Sequence, residues 1–215
     1  MTAVKKSPMR YVEVVFDIAY FTFIIFAGAY LLITRPETPL LGAMTFVLGM
    51  GDAFHLVPRM AKALGVRRDL TFALGYGKLI TSVTMTAFYV LLYFAWSEFA
   101  VSYDVNARSI LTAAILILAG LRVTLCLFPQ NRWRENLSGG HFAIIRNMPF
   151  IALGALVAVL CLMTPSFLQI GIAVVGSFAF YLPVIFGAEK NPKLGMLMLP
   201  KTLMYVWIIV RLCHG

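Results

Sequence analysis

The chain has 215 residues, 61% of them hydrophobic and 13% charged, with a formal net charge of +9 and a mean hydropathy of +0.88. That composition excludes an ordinary soluble domain, in which apolar residues make up about half of the chain and charged ones about a quarter. The positive charge is scattered over short loops and inside apolar runs, so it points to membrane insertion and not to nucleic acid.

Apolar runs of about 20 residues are the length a helix needs to cross the hydrocarbon core. They divide the chain into seven predicted spans, at roughly 11–33, 39–63, 71–96, 108–128, 141–163, 166–187 and 194–213. The expectation is an all-α, polytopic seven-transmembrane-helix bundle forming one domain over 1–215. The first run follows Lys5, Lys6 and Arg10 but is too long for a signal segment. It carries Glu13 and Asp17 and has no small-residue cleavage site, so it reads as a retained helix. Arg67 and Arg68 separate spans 2 and 3, Arg132 and Arg134 separate spans 4 and 5, and Lys190 and Lys193 separate spans 6 and 7. The alternate loops carry only Arg35 and Arg108, with Arg211 near the C-terminal end. This alternation places the N-terminus in the cytoplasm and the C-terminus outside, as in an integral protein of the cytoplasmic membrane of a prokaryote.

Pro36, Pro39, Pro129, Pro165 and Pro192 punctuate span ends. Pro58, Pro149, Pro183 and Pro200 fall within or near spans, where a proline frees a carbonyl one turn earlier. Gly75, Gly77, Gly154, Gly171 and Gly176 are expected to permit close helix contact. Cys126, Cys161 and Cys213 show no paired spacing and read as small packing residues.

The segment Gly51-Asp-Ala-Phe-His-Leu-Val-Pro-Arg59 sets three ionisable groups inside a span. At about 100° per residue, Asp52, His55 and Arg59 fall within an arc of roughly 60°. Such groups are costly in hydrocarbon and should face protein or a watery cavity. The bland reading is a structural polar cluster that ties helices together. Depth argues for more. Glu13 and Asp17 on span 1, Lys78, Thr81 and Ser82 on span 3, and Arg122 on span 4 share the same leaflet. So do His141, Arg146 and Asn147 on span 5, and Pro200, Lys201, Thr202 and Tyr205 on span 7. One cytoplasm-facing cavity is the expectation, although Arg59, Arg146 and Lys201 are also near enough to the interface to snorkel. Its cations, Arg59, Lys78, Arg122, Arg146 and Lys201, outnumber Glu13, Asp17 and Asp52. An anionic ligand follows, with phosphate the natural partner of arginine. Asp52 would serve as acid or base there, and His55 could exchange protons near neutral pH. No dinucleotide or phosphate-loop motif calls for a cofactor. His55, His141 and His214 are too dispersed to favour a zinc site.

Gly51-Asp52 late in an early span, Leu74-Gly75-Tyr76-Gly77-Lys78 in span 3 and Val175-Gly176-Ser177-Phe178-Ala179-Phe180 in span 6 carry a distant resemblance. With Tyr205 in the last span, they resemble the lysoplasmalogenase family of small multispan membrane hydrolases, the YhhN-like proteins. The resemblance implies hydrolysis of the vinyl-ether bond of a lysoplasmalogen, with Asp52 as one of two essential aspartates. The second is implied in a Ser-Asp pair after Phe180, where this chain has Tyr181-Leu182-Pro183-Val184, and Glu189 is the next carboxylate. Asp17 and Glu13 are the candidates to replace it. Two functions are therefore expected to compete. One is an intramembrane enzyme acting on lysophospholipids. The other is a non-catalytic transporter or sensor of an anionic lipid or small molecule. A purely structural membrane partner stands third.

Overall fold

The computed structural model describes residues 9–99, 104–137, 140–187 and 191–214. Seven α-helices account for most of them: α1 (Met9–Thr34), α2 (Pro39–Ala63), α3 (Thr71–Phe99), α4 (Val105–Leu127), α5 (Gly140–Leu162), α6 (Leu168–Gly187) and α7 (Met198–His214). No strand occurs among the described residues. Seven helical segments are long and apolar enough to cross a membrane. The architecture is thus an all-α bundle of the expected helix number, and these helices fit an integral membrane protein. Lys5, Lys6, Glu189, Lys190 and the side chain of Arg10 lie outside the described residues.

Local chemistry moves several ends from their predicted places. α2 coincides with the span read at 39–63, its first residue being a proline that lacks only an N–H the helix would leave unpaired anyway. α4 begins three residues early because the Asp104 carboxylate accepts from the N–H groups of Asn106 and Ala107, at 3.2 and 3.4 Å. Spans 6 and 7 match the apolar segments Pro165–Gly187 and Lys193–His214 but open on 3-10 turns. Pro165–Phe167 and Pro192–Leu197 are 3-10 turns there, and the α-helices start only at Leu168 and Met198.

Helices adjacent in sequence pack side by side, and α1 also meets α7, which closes the ring. α3 lies within it, touching α5 as well as its own neighbours. Its Phe88, Tyr89, Leu92, Tyr93 and Ala95 are wholly buried. Ile25, Phe26, Ile33, Ile110 and Ile117 point outward and are exposed, which costs nothing where the surroundings are lipid tails as apolar as leucine.

Two glycines of α3 set how closely it is approached. A Cβ at Gly77 would lie 2.3 Å from the Phe54 carbonyl oxygen, the carbonyl that Pro58 leaves without its helical donor. A Cβ at Gly75 would lie 1.6 Å from the Trp133 carbonyl oxygen. Both obstacles are backbone atoms, which cannot swing aside. α2 therefore seats directly on α3, and the α4–α5 connection tucks against it.

That connection folds inward. Buried Asn131 donates from Nδ2 to the carbonyls of Leu125, Cys126 and Phe128 at 2.8, 3.0 and 2.8 Å, which meets the acceptors left open at the end of α4. The Trp133 indole N–H donates to the Cys126 carbonyl at 2.8 Å. Arg132 and Asn136 adopt left-handed backbone, with φ of 50° and 54°, and the chain reverses between them. Cys126, Cys161 and Cys213 are free.

Candidate functional site

Because the helices alternate in direction, the starts of α1, α3, α5 and α7 share one end of the bundle with the ends of α2, α4 and α6. A cavity of about 330 Å³ occupies that end. Ten of the residues singled out in the sequence as site candidates line it: Asp17, Asp52, His55, Arg59, Lys78, Arg122, Arg146, Asn147, Lys201 and Tyr205. Glu13 stands outside it but pairs with Arg59, which does line it. The helical faces read from the sequence therefore converge in space. Thr81, Ser82 and Thr202 also line the cavity, whereas His141 is exposed on α5 and His214 sits at the far end of α7.

One wall is a ladder between α1 and α2. Tyr20 donates to Asp52 Oδ2 at 2.7 Å, and Arg59 Nη2 donates to Glu13 Oε2 at 3.1 Å. The two contacts belong to one antiparallel register, since seven residues separate Glu13 from Tyr20 on α1 and Asp52 from Arg59 on α2. The same register sets Asp17 level with His55. Asp17 is buried, and His55 Nδ1 is buried without a hydrogen-bond partner. Each helix repeats its polar residues at about the period that keeps them on one face.

The opposite wall is basic. Arg122 on α4 is 2% exposed and donates from Nη1 to the Arg146 carbonyl. Arg146 on α5 donates from Nη1 to Asn131 Oδ1 at 2.6 Å. Lys78 on α3 reaches the Asn136 carbonyl at 3.5 Å. None of these acceptors carries a charge. Aromatic faces hold the cations further: Arg146 lies 4.5 Å from the Trp133 ring centre and Arg122 5.4 Å from that of Phe150. Between the two walls, within electrostatic reach of both Asp52 and Arg122, Lys201 of α7 sits 4.5 Å from the ring centre of Tyr181 and 5.3 Å from that of Tyr205. A ring face attracts a cation but does not neutralise it. The Nε atoms of Arg122 and Arg146 are buried without a partner, a costly state for a donor.

Five basic side chains and two carboxylates line the cavity. Among the described residues the ion pairs are Arg59–Glu13 here and Arg132–Glu135 in the α4–α5 connection. No three His, Cys, Asp or Glu side chains among them gather as a metal site. Beneath Lys201, the hydroxyl of Tyr205 meets that of Tyr89 at 3.3 Å, and Tyr89 meets Ser177 at 3.2 Å. Asn147 is held by two bonds, donating to the Ala143 carbonyl at 2.6 Å and accepting from Tyr181 at 2.9 Å.

Reading the sequence for charge passed over Tyr20, Trp133, Phe150 and Tyr181. Tyr20 was within reach, since it follows Asp17 by three residues and Glu13 by seven. The aromatics that cradle the cations carry no such signal, because in an apolar span a ring looks the same whether it faces lipid, core or ligand.

The fold and the cavity define a class, a seven-helix bundle of membrane type with a basic pocket at one end. No family model, curated protein or solved structure matches the chain.

Proposed function

We propose that the cavity receives the phosphate-bearing headgroup of a single-chain lipid, and that the protein is an intramembrane hydrolase acting on it. The observation that carries this reading is the surplus of cations over carboxylates in one cavity. Buried charge without a partner costs several kcal/mol, of order 3–5 when a counter-charge is missing. An anionic ligand would relieve that cost. The acyl or alkenyl chain would lie along Leu56, Val184, Ile185 and Leu199 of the lining.

The chemistry falls to the carboxylate wall. Asp52, oriented by Tyr20, is the acid or base, Asp17 supplies the second carboxyl, and His55 exchanges protons between them and water. For the vinyl-ether lipid that the motif resemblance implies, one carboxyl would protonate the alkenyl carbon remote from oxygen. Water then adds to the carbon bearing the oxygen and gives its proton to the other carboxylate. Collapse of the hemiacetal releases an aldehyde and the phosphorylated glycerol headgroup. The exposed basic residues Arg67, Arg68, Arg132, Arg134 and Lys193 lie at the cavity end. By the positive-inside rule that end is cytoplasmic, with the N-terminus inside, the C-terminus outside and the cytoplasmic membrane of a prokaryote as the location.

A second reading, a transporter or sensor of the same anion, draws on the Tyr20 hydroxyl, which already occupies one oxygen of Asp52. One experiment separates the two. Purified protein is offered lysoplasmalogens and other lysophospholipids, and aldehyde and fatty-acid release are followed beside lipid binding. Turnover lost in Asp52→Asn, with binding kept, is the expected result. Binding without turnover in folded wild type overturns the hydrolase and leaves the carrier or sensor; absence of both overturns the whole reading.

A further inference from the structure

Charge is distributed unevenly within the cavity, and the distribution narrows the ligand. On the α1–α2 wall, Arg59 is paired with Glu13 at 3.1 Å, while Asp17 and Asp52 share that side with Lys201 from α7. On the α3–α4–α5 wall, Lys78, Arg122 and Arg146 contact only neutral acceptors and aromatic rings. With all carboxylates ionised, the first wall carries about one net negative charge and the second three positive, and the proton that one aspartate must hold for the chemistry above only enlarges the positive surplus. A phosphodiester brings a single negative charge and leaves positive charge buried. A phosphomonoester in its doubly ionised form brings two charges and three terminal oxygens. Those oxygens match what is on offer: two guanidinium forks suited to bidentate phosphate contact and one ammonium acting as a point charge.

Donor geometry agrees with the charge. A guanidinium has five N–H donors, and Arg122 and Arg146 each use one in the hydrogen bonds described above. Both residues line the cavity, but their Nε groups are buried out of its reach, which leaves the Nη groups to meet a ligand. Asn147, on the same wall, is fixed by its bonds to Ala143 and Tyr181 and is 4% exposed. Resting on the lipid reading above for the source of the phosphate, we infer that Lys78, Arg122 and Arg146 form a site for a terminal, doubly ionised phosphomonoester. The lipid it fits is a lysophosphatidate-like molecule, as opposed to a lysolipid whose phosphate is capped by a second alcohol.

The test uses the full chain in lipid nanodiscs, with binding measured by calorimetry and by the shift in melting temperature. The probes are lysophosphatidate, lysophosphatidylcholine, lysophosphatidylglycerol and glycerol 3-phosphate. At pH 8, lysophosphatidate should bind at least tenfold more tightly than either capped lipid. That preference should shrink as pH falls below about 6, where the phosphate takes up its second proton. Asp17, Asp52 and His55 face the cavity beside Arg59 and Lys201, so the capped lipids run at each pH serve as the reference for protein-side effects. Arg146→Lys keeps the charge but removes the fork, and Lys78→Met removes one charge. Each should cut the lysophosphatidate preference several-fold while circular dichroism and gel filtration match wild type. Equal affinity for the capped lipids overturns the phosphomonoester assignment and leaves the lipid reading intact. Glycerol 3-phosphate binding as tightly as lysophosphatidate supports the phosphate site and overturns the lipid source. No binding by any probe overturns both.

Discussion

The two ends of the bundle are built from the same helices and solve the burial of polar groups in opposite ways. At the end away from the cavity, the interior carries few polar groups, and those of two large aromatic residues meet neutral hydroxyl partners. Tyr93 shares a 2.7 Å hydrogen bond with Thr112, and the Trp96 indole donates to Thr164 at 2.8 Å. Around them Leu92, Leu153, Ile208 and Ile209 leave no exposed surface. At the cavity end, cations rest on rings and carbonyls, and buried nitrogens of His55, Arg122 and Arg146 have no partner. One end is close-packed, and the other holds buried cations whose partners carry no charge. The contrast resembles the general trade between stability and function at binding sites.

Mutations should separate the two ends. Leu92→Ala, at a fully buried position in the dry end, should cost about 2–5 kcal/mol, the range for emptying a buried leucine site. Denaturant unfolding in micelles measures it, and a loss below about 1 kcal/mol would break the comparison. Lys78→Met should do the reverse, leaving the melting temperature of the ligand-free protein unchanged or raised. Removing one of several like charges relieves repulsion, while binding of phosphorylated lipid falls about tenfold or more, near 1.4 kcal/mol. A clear drop in ligand-free stability would show that Lys78 serves packing instead. Tyr20→Phe removes one hydrogen bond to Asp52 and should cost about 1–2 kcal/mol, read by the same unfolding assay with lipid turnover followed in parallel.

The smallest effect lies outside the membrane. Asp69, in the connection before α3, accepts the Thr71 backbone N–H at 2.9 Å, which holds its carboxyl below the ordinary value of 3.8. A depressed pKa stabilises the fold above the unfolded value, and that stability is lost as pH falls through the folded one. Melting temperatures of wild type and Asp69→Ala should therefore differ slightly at pH 7 and converge toward pH 3. A gap that stays constant would assign the difference to something other than this carboxylate.

Much of this was legible in the sequence. Hydrocarbon thickness fixes span length, so seven apolar runs could be counted, and proline and glycine bounded them to within a few residues. The 3-10 turns that open spans 6 and 7 were not legible, because a proline permits a 3-10 turn as readily as the first turn of an α-helix. Depth and helical period then brought Asp17, Asp52, Lys78, Arg122 and Lys201 toward one another. What periodicity lacks is the partner helix. The seating of Gly77 on the Phe54 carbonyl, the inward fold of Trp133 and the stacking of Arg146 upon it depend on contacts far apart in the chain. Nothing in a local window encodes them.

The α1–α2 ladder has a consequence for how this region tolerates change. Its rungs are a matter of phase: Tyr20 meets Asp52 and Glu13 meets Arg59 only while both helices keep the same angular count from the turn that joins them. Inserting one alanine after Ala27 would leave composition, hydropathy and span length almost untouched. It would also rotate Glu13, Asp17 and Tyr20 by about 100° relative to α2, out of reach of every partner. Membrane helices accept wide variation in which apolar residue they carry. Here the quantity held fixed is the number of residues between the hairpin turn and the polar face, a constraint on counting that no single substitution would reveal.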